Sequence, residues 1–170
     1  AGGGKTIMTV EPKFIPDESV RIDIRDNLSL NVRLVDCTGY PVPGAQGYMD
    51  GDAPRMVRTL WFDEPVPFAE AAEVGTEKVI VDHATIGIVV TTDGSIVDIP
   101  REAYVEAERQ VVAKMAALGK PFVIVLNSRD PYSKEASDLA TDMEGEYGVP
   151  VIPADCLSLN HDDIVLIMEQ

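Results

Sequence analysis

The sequence predicts an open α/β sheet preceded by a β-hairpin. The first observation is the alternation of apolar and polar residues over 20–34, which is typical of half-buried antiparallel strands. The second is a series of three short apolar runs, separated by helical patterns, in the second half of the chain. Strands that alternate with helices form right-handed βαβ units, and therefore a mostly parallel sheet. The 170 residues are sufficient for one domain with its own core.

The hairpin is expected over Val20 to Asp36, with a tight polar turn at Asp26-Asn27. Asp36 would then stand at the carboxyl end of a strand. The next segment, 37–67, carries nine glycine and proline residues, which exclude long regular elements. We expect one long loop there, and such loops in compact domains are usually functional or disordered.

A helix is expected over 68–83, which has no proline and places Ala72, Val79 and Ile80 on one face. Continuous apolar runs predict three strands buried on both faces of the sheet: 86–91, 121–126 and 149–152. Apolar stripes predict three further helices: one around 104–118 that ends at Gly119, one over 133–147 capped by Ser133, and one after Asn160. The acidic residues of these helices, including Glu108, are expected on the solvated surface.

Composition excludes several classes of protein. Asp and Glu outnumber Lys and Arg by 29 to 14, so the net charge of −15 repels phosphate backbones, and nucleic acid is not expected as a partner. No apolar run reaches the roughly 20 residues of a transmembrane helix. The first residues do not resemble a secretory signal, so a cytoplasmic location is expected. Cys37 and Cys156 lack the spacing of metal ligands and are expected to be buried thiols.

Ligands of open α/β sheets bind beyond the carboxyl ends of the strands, where the first candidate lies. Asp36-Cys37-Thr38-Gly39 matches D-x-x-G, in which a strand-end aspartate holds magnesium and the glycine amide meets a terminal phosphate. The spacing alone is weak, because Asp142 to Gly145 repeats it within a helical pattern. Asp36 differs in ending a strand and opening a loop. The alternative is an ordinary aspartate at a strand end.

A second candidate is Asn127-Ser128-Arg129-Asp130, which follows a buried strand where N-K-x-D would read a guanine base. Serine replaces the lysine of that motif, and an ordinary strand-end turn is equally compatible with the sequence. The glycine-rich start, 2–6, does not predict a Walker A loop, because no strand precedes it and Pro12 and Pro16 follow soon after.

Four stretches together are similar to the nucleotide-binding domain of the stage IV sporulation protein A family: 4–14, 33–40, 70–76 and 86–94. The resemblance continues through 119–122 and 127–128 and covers nearly the whole chain. It implies a P-loop NTPase-like fold of the translation-factor-related GTPase class, with an open, mostly parallel sheet, an antiparallel hairpin and helices on both faces. It also implies a single, partial domain over 1–170, with 37–67 as a long switch-like loop.

The resemblance implies a function as well. The family hydrolyses ATP with Mg²⁺, and hydrolysis drives its self-assembly into the basement layer of the spore coat. The implied location is the mother-cell cytoplasm at the outer forespore surface. The implied partners are other copies of the protein, other spore coat morphogenetic proteins and a forespore membrane-anchoring peptide. The family's Walker A segment precedes the stretch that Ala1 opens, so the chain is expected to be a fragment that is inactive alone.

The family's site residues are carried over residue by residue. Asp36 matches the Walker B aspartate, and Thr9 matches the first of two adjacent threonines that sense the γ-phosphate, the second being Val10 here. Thr9 and Asp36 are therefore the candidates for catalysis and for the metal, while Gly39 and Asn127 are the candidates for nucleotide binding.

Two other functions stay open at this point. The chain could be a nucleotide-independent assembly module that retains only the P-loop fold. It could also bind GTP through Asp130, although Ser128 in place of the lysine favours ATP.

Overall fold

The computed structural model describes residues 14–170, which form two compact units. Among the described residues, the first unit contains 14–19 and 33–84, and the second contains 20–32 and 85–170. The candidate Thr9 lies outside the described residues.

The hairpin is present, and its two strands form a two-stranded sheet. Strand β1 spans Phe14–Arg25 and strand β2 spans Leu28–Val35, so the two-residue turn falls at Asp26 and Asn27 as expected. A connection this short can join only antiparallel strands. Asp36 follows β2 directly, which confirms its expected place at the end of a strand.

The segment 37–67 is more ordered than one long loop. Two-residue strands β3 (Met49–Asp50) and β4 (Ala53–Pro54) pair antiparallel, and so do β5 (Met56–Val57) and β6 (Val66–Pro67). Gly51 turns the chain between β3 and β4 at φ 64°, a backbone conformation that glycine adopts readily. The glycines and prolines thus exclude long elements, as expected, but permit short pairs. Helix α1 then spans Phe68–His83, with the bounds that the sequence predicts.

The second unit is an α/β unit with a parallel sheet, as expected. Its strands and helices alternate along the chain: β7 (Gly87–Thr92), α2 (Glu102–Ala117), β8 (Phe122–Asn127), α3 (Lys134–Tyr147), β9 (Val151–Ala154) and α4 (His161–Met168). The sheet has the order β7-β8-β9, and both pairings are parallel.

The expected caps define the last two helices. The Ser133 hydroxyl accepts a hydrogen bond from Ala136 N at 3.2 Å, and Gly148 ends α3 at φ 67°. Asn160 begins α4 with a reciprocal capping box, in which Asp163 accepts from the Asn160 amide. These side chains satisfy backbone groups that a helix end leaves without partners.

Helices pack on both faces of the parallel sheet. A Cβ built at Gly87 would clash with the Met115 side chain, so α2 approaches the sheet closely on that face. Side chains alternate along a strand, so Val123 and Val125 point to the opposite face, where they cluster with Ile167 of α4.

The expectation that all three strands are buried on both faces is wrong for β7. Ile88 is 39% exposed and Val90 is 60% exposed, and both share the face that carries Val123 and Val125. The reason is that the eight-residue α4 packs over β8 and β9, where Ile152 and Ala154 complete its cluster. Among residues 14–170, no helix combines the length and the apolar character needed to cross a membrane.

Candidate functional site

Asp36 stands where a strand ends and an irregular segment begins. It follows β2 directly and its side chain is exposed. Within the described part of the chain, its carboxylate has no hydrogen bond and no ion pair. The oxygen lone pairs of such a carboxylate are available to a ligand.

The neighbouring Gly39 amide is already engaged. Its N–H donates to Thr76 Oγ1 at 3.0 Å, and Thr76 lies on α1, 37 residues further along the chain. Gly39 has φ 75°, a left-handed conformation that is strained for residues with a Cβ. The Gly39 amide therefore has a protein acceptor in this structure, whereas the D-x-x-G motif predicts that it binds a terminal phosphate.

Thr76 is the anchor of this segment. It is 2% exposed and sits on the buried face of α1, next to Ala72, which is 0% exposed. Burial raises the pKa of the Cys37 thiol, and hydrogen bonds from Thr76 and the Gly39 backbone oppose that rise. Thr76 thus contacts two residues of the D-x-x-G segment.

The donor set fits magnesium. Carboxylate oxygen is the ligand that Mg²⁺ prefers, and this ion is usually held by one or two carboxylates together with phosphates and water. Asp36 supplies one such carboxylate, free of hydrogen bonds from other described residues. No group of three His, Cys, Asp or Glu residues that could hold a metal occurs in residues 14–170.

Asn127 is held by its side-chain oxygen at the carboxyl end of β8. The oxygen accepts a hydrogen bond from Cys156 N at 3.1 Å, which ties Asn127 to the segment after β9. Its backbone carbonyl accepts from Asp93 N at 3.3 Å, at the end of β7. With the oxygen engaged, the NH₂ group is the part of the Asn127 amide suited to a ligand.

The segments around Asn127 are joined by hydrogen bonds. Burial alone would raise the pKa of Asp93, but hydrogen bonds from Ser128 and Ser95 outweigh it and lower the pKa. Arg129 N donates to Ser95 Oγ at 3.0 Å, and the Arg129 guanidinium donates to Ile96 O at 3.0 Å. The turn after β8 and the turn after β7 are therefore fixed to one another.

Asp130 occupies the place of the N-K-x-D aspartate. Its side chain is exposed, and its backbone carbonyl accepts from Ser133 N at 3.1 Å and from the Ser133 hydroxyl at 2.8 Å. These bonds place Asp130 in the turn that begins α3.

Glu108 is buried, with only 3% exposure, so the expectation that it lies on the solvated surface is wrong. Arg101 Nη2 donates to Glu108 Oε1 at 2.8 Å, and Arg101 Nη1 lies 2.8 Å from Oε2 without hydrogen-bond geometry. The Tyr147 hydroxyl donates to Glu108 Oε1 at 2.6 Å. Burial alone would raise the pKa of Glu108, but hydrogen bonds from Arg101, Tyr147 and Thr91 outweigh it and lower the pKa.

The structure brings some of the candidate residues together. Asp36 and Gly39 lie on one segment of the first unit, within the same four-residue motif. Asn127 belongs to the second unit, where it lies at the sheet edge with Asp93. Thr9 lies outside the described residues, so its place stays a prediction.

Two buried polar residues, Thr76 and Glu108, were not predicted from the sequence. The sequence pattern could have indicated Thr76, because it lies four residues after Ala72 on the expected apolar face of α1. A hydroxyl buried on such a face needs a hydrogen-bond partner. No local pattern in the sequence indicated that Glu108 is buried, because its partners Arg101 and Tyr147 lie 7 and 39 residues away.

Comparison with known proteins gives one family and several relatives. The family described as stage IV sporulation protein A, ATPase domain, matches residues 1–170. The chain is 47% identical over 170 residues to stage IV sporulation protein A of Bacillus subtilis (strain 168), and 48% identical over 170 residues to that of Bacillus anthracis. It is 51% identical over 169 residues to that of Clostridioides difficile (strain 630).

These alignments cover 100%, 100% and 99% of this chain. The chain spans only about a third of the length of the relatives, 35%, 35% and 34% respectively. No solved structure matches the chain.

Proposed function

Because the chain belongs to the stage IV sporulation protein A ATPase-domain family, we propose that it is part of a morphogenetic ATPase. In this proposal the protein has a P-loop fold of the translation-factor-related GTPase class. It hydrolyses ATP to ADP and phosphate, and this turnover drives its self-assembly into the basement layer of the spore coat.

The observation that carries the proposal is the position of Asp36. Its exposed carboxylate follows β2 directly and has no hydrogen bond or ion pair within residues 14–170. We assign Asp36 to hold Mg²⁺ through water. When bound, Mg²⁺ would neutralise charge on the phosphates during transfer. The residues that surround the phosphates would act by positioning and by electrostatic stabilisation.

Thr9 and Gly39 are assigned to the phosphate end of the nucleotide. The Thr9 hydroxyl would contact the metal and the γ-phosphate, and Val10 beside it has no hydroxyl with which to assist. The Gly39 amide would donate to the terminal phosphate. That donation would require its present bond to Thr76 to open.

In the second unit, Asn127 is assigned to the nucleobase. Its side-chain oxygen is engaged by Cys156 N, so its NH₂ group would donate to the base. We propose ATP as the nucleotide, because Ser128 stands where a guanine-binding protein carries lysine. The buried Ser128, 1% exposed, cannot replace the long side chain that packs along a guanine base.

The proposal extends to partners and location. The protein would act in the mother-cell cytoplasm at the outer forespore surface. It would bind other copies of itself, other spore coat morphogenetic proteins and a membrane-anchoring peptide. These expectations follow from the family.

A nucleotide-independent assembly module is the second candidate. Two observations favour it: the Gly39 amide already has an acceptor in Thr76, and Val10 replaces the second threonine. In that case the protein would keep the P-loop fold but would not hydrolyse ATP.

Phosphate release and assembly, measured together, separate the two candidates. The protein should be extended to the length of the relatives and assayed with ATP, with and without Mg²⁺, while assemblies are collected by sedimentation. We expect phosphate release that depends on Mg²⁺, and assembly that depends on ATP. Equal assembly without nucleotide would support the second candidate and overturn the first.

A further inference from the structure

We propose that Thr76 is a positioning residue that competes with the terminal phosphate of ATP for the Gly39 amide. A nucleoside triphosphate would then bind fully only when it displaces the Thr76 hydroxyl. This inference rests on the proposed function, and it adds a residue that the D-x-x-G reading does not contain.

The contact is well defined. Gly39 N and Thr76 Oγ1 are 3.0 Å apart, a normal length for a hydrogen bond. Thr76 is 2% exposed, on a face of α1 where Ala71 and Ala72 are each 0% exposed. A threonine packed in this way has little freedom to turn away, so it holds Gly39 rather than following it.

The two acceptors exclude one another because a backbone amide has a single hydrogen. The amide cannot make a strong, linear bond to Thr76 and to a phosphate oxygen at once. Two arrangements of the Asp36–Gly39 segment follow. In one arrangement the amide is bound to Thr76, and in the other it is available to the nucleotide.

The segment can move between these arrangements. Apart from its chain neighbours, no heavy atom of residues 14–170 lies within 4 Å of a Cβ built at Gly39, so these residues do not pack tightly on that side of it. Glycine also adopts both left-handed and right-handed backbone conformations at low energy. When Gly39 leaves, the Thr76 hydroxyl is not left without hydrogen bonds, because a helical threonine can donate its hydrogen to a carbonyl of the preceding turn.

The consequence is a difference between nucleotides. A triphosphate that uses the Gly39 amide must first break the bond to Thr76, whereas a diphosphate has no terminal phosphate to place there. Thr76 therefore lowers affinity for the triphosphate and leaves affinity for the diphosphate unchanged. The expected size is about 2- to 12-fold, the range of one net hydrogen bond.

Thr76→Val tests this, because valine keeps the branched shape of threonine and removes only the hydroxyl. In the protein extended to the length of the relatives, dissociation constants for ADP and for a non-hydrolysable ATP analogue should be measured by calorimetry with Mg²⁺. We expect the variant to bind the analogue about 2- to 12-fold more tightly, with ADP unchanged. Thr76→Ser restores the hydroxyl and should restore the parent ratio.

Thr92→Val is a matched control. Thr92 is 7% exposed, and its Oγ1 accepts from the Gly94 amide at 3.1 Å, which is the same kind of bond in the second unit. We expect this variant to keep the parent ratio of the two dissociation constants. A Thr76→Val variant that keeps the same ratio would overturn the inference.

If Thr76→Val does not fold, the inference can be tested on the parent protein by following the Gly39 amide resonance. The Gly39 amide resonance should shift on addition of the analogue and stay in place with ADP. An equal response to both nucleotides would overturn the inference. If the parent binds neither nucleotide, the proposed function fails and the inference with it, whereas normal binding with an unchanged ratio removes only the inference.

Discussion

Replacing Glu108 with alanine tests the buried ion pair of the second unit. The change leaves the Arg101 guanidinium and the Tyr147 hydroxyl without their common acceptor. Removing one partner of a buried pair typically destabilises a protein by about 3 to 5 kcal/mol. The Arg101 side chain keeps 17% exposure against 1% for Glu108, so water relieves part of the loss. We therefore expect a loss of about 3 kcal/mol in the free energy of unfolding, the lower end of that range.

Urea unfolding of the 170-residue chain, followed by circular dichroism, measures this loss. With a slope of about 1 to 3 kcal/mol per molar urea, the midpoint should fall by about 1 to 3 M. Glu106→Ala is the matched control, because Glu106 is exposed on the same helix, α2. Its free energy of unfolding should stay within about 0.5 kcal/mol of the parent.

The loss of stability in Glu108→Ala should also depend on pH, in a direction that the pKa of Glu108 predicts. The pKa of Glu108 is lower in the folded protein than its usual value, so the ionised form stabilises the fold. This stability is fully present above the unfolded pKa of about 4.3 and is lost as the pH falls through the lower folded pKa. The gap between parent and Glu108→Ala should therefore narrow in acid. A midpoint equal to that of Glu106→Ala, or a gap that widens in acid, would refute the reasoning.

Three further predictions follow from the same contacts and assignments. Tyr147→Phe removes a hydroxyl that donates to Glu108 at 2.6 Å, and should lower the free energy of unfolding by about 1.5 to 3 kcal/mol in urea titrations. Thr9→Ala in the extended protein should lower kcat more than it raises KM in steady-state assays, whereas a raised KM with unchanged kcat would assign Thr9 to ground-state binding. Excess GTP should not displace ATP in competition binding to the extended protein. Displacement that Asp130→Ala abolishes would show that Asp130 reads guanine.

Local signals in the sequence were sufficient for most elements of the fold. The helix α1 has the predicted bounds, 68–83, because no proline interrupts its apolar face. Ser133 and Asn160 cap α3 and α4 as expected, since capping depends on residues within one turn. Each of these features is determined by neighbours in the sequence.

Contacts between distant residues were not predictable in the same way. The exposure of Val90 depends on where α4 packs, and the burial of Glu108 depends on Arg101 and Tyr147. Periodicity assigns a residue to a face but does not say whether another element covers that face.

The candidate site shows the same difference between local signals and contacts of distant residues. D-x-x-G at the end of an alternating strand identified Asp36 and Gly39 as neighbours on one segment. The bond from Gly39 to Thr76 bridges 37 residues, so the motif alone could not reveal that the amide has a partner. The roles of Asp36, Gly39, Asn127 and Thr9 stay predictions.

The rate of ATP hydrolysis by Asp36→Ala, in the protein extended to the length of the relatives, tests the central claim most directly. Asp26→Ala is the matched control, since Asp26 is also exposed and directly follows a strand, β1, as Asp36 follows β2. We expect Asp36→Ala to lower kcat by about 10²- to 10³-fold, the size typical for the loss of one electrostatic contact in a catalytic site, and Asp26→Ala to keep the parent rate. Both variants should unfold at the parent midpoint, because neither side chain is buried. An Asp36→Ala protein that hydrolyses ATP within a few-fold of the parent would contradict the assignment of Asp36 to the metal.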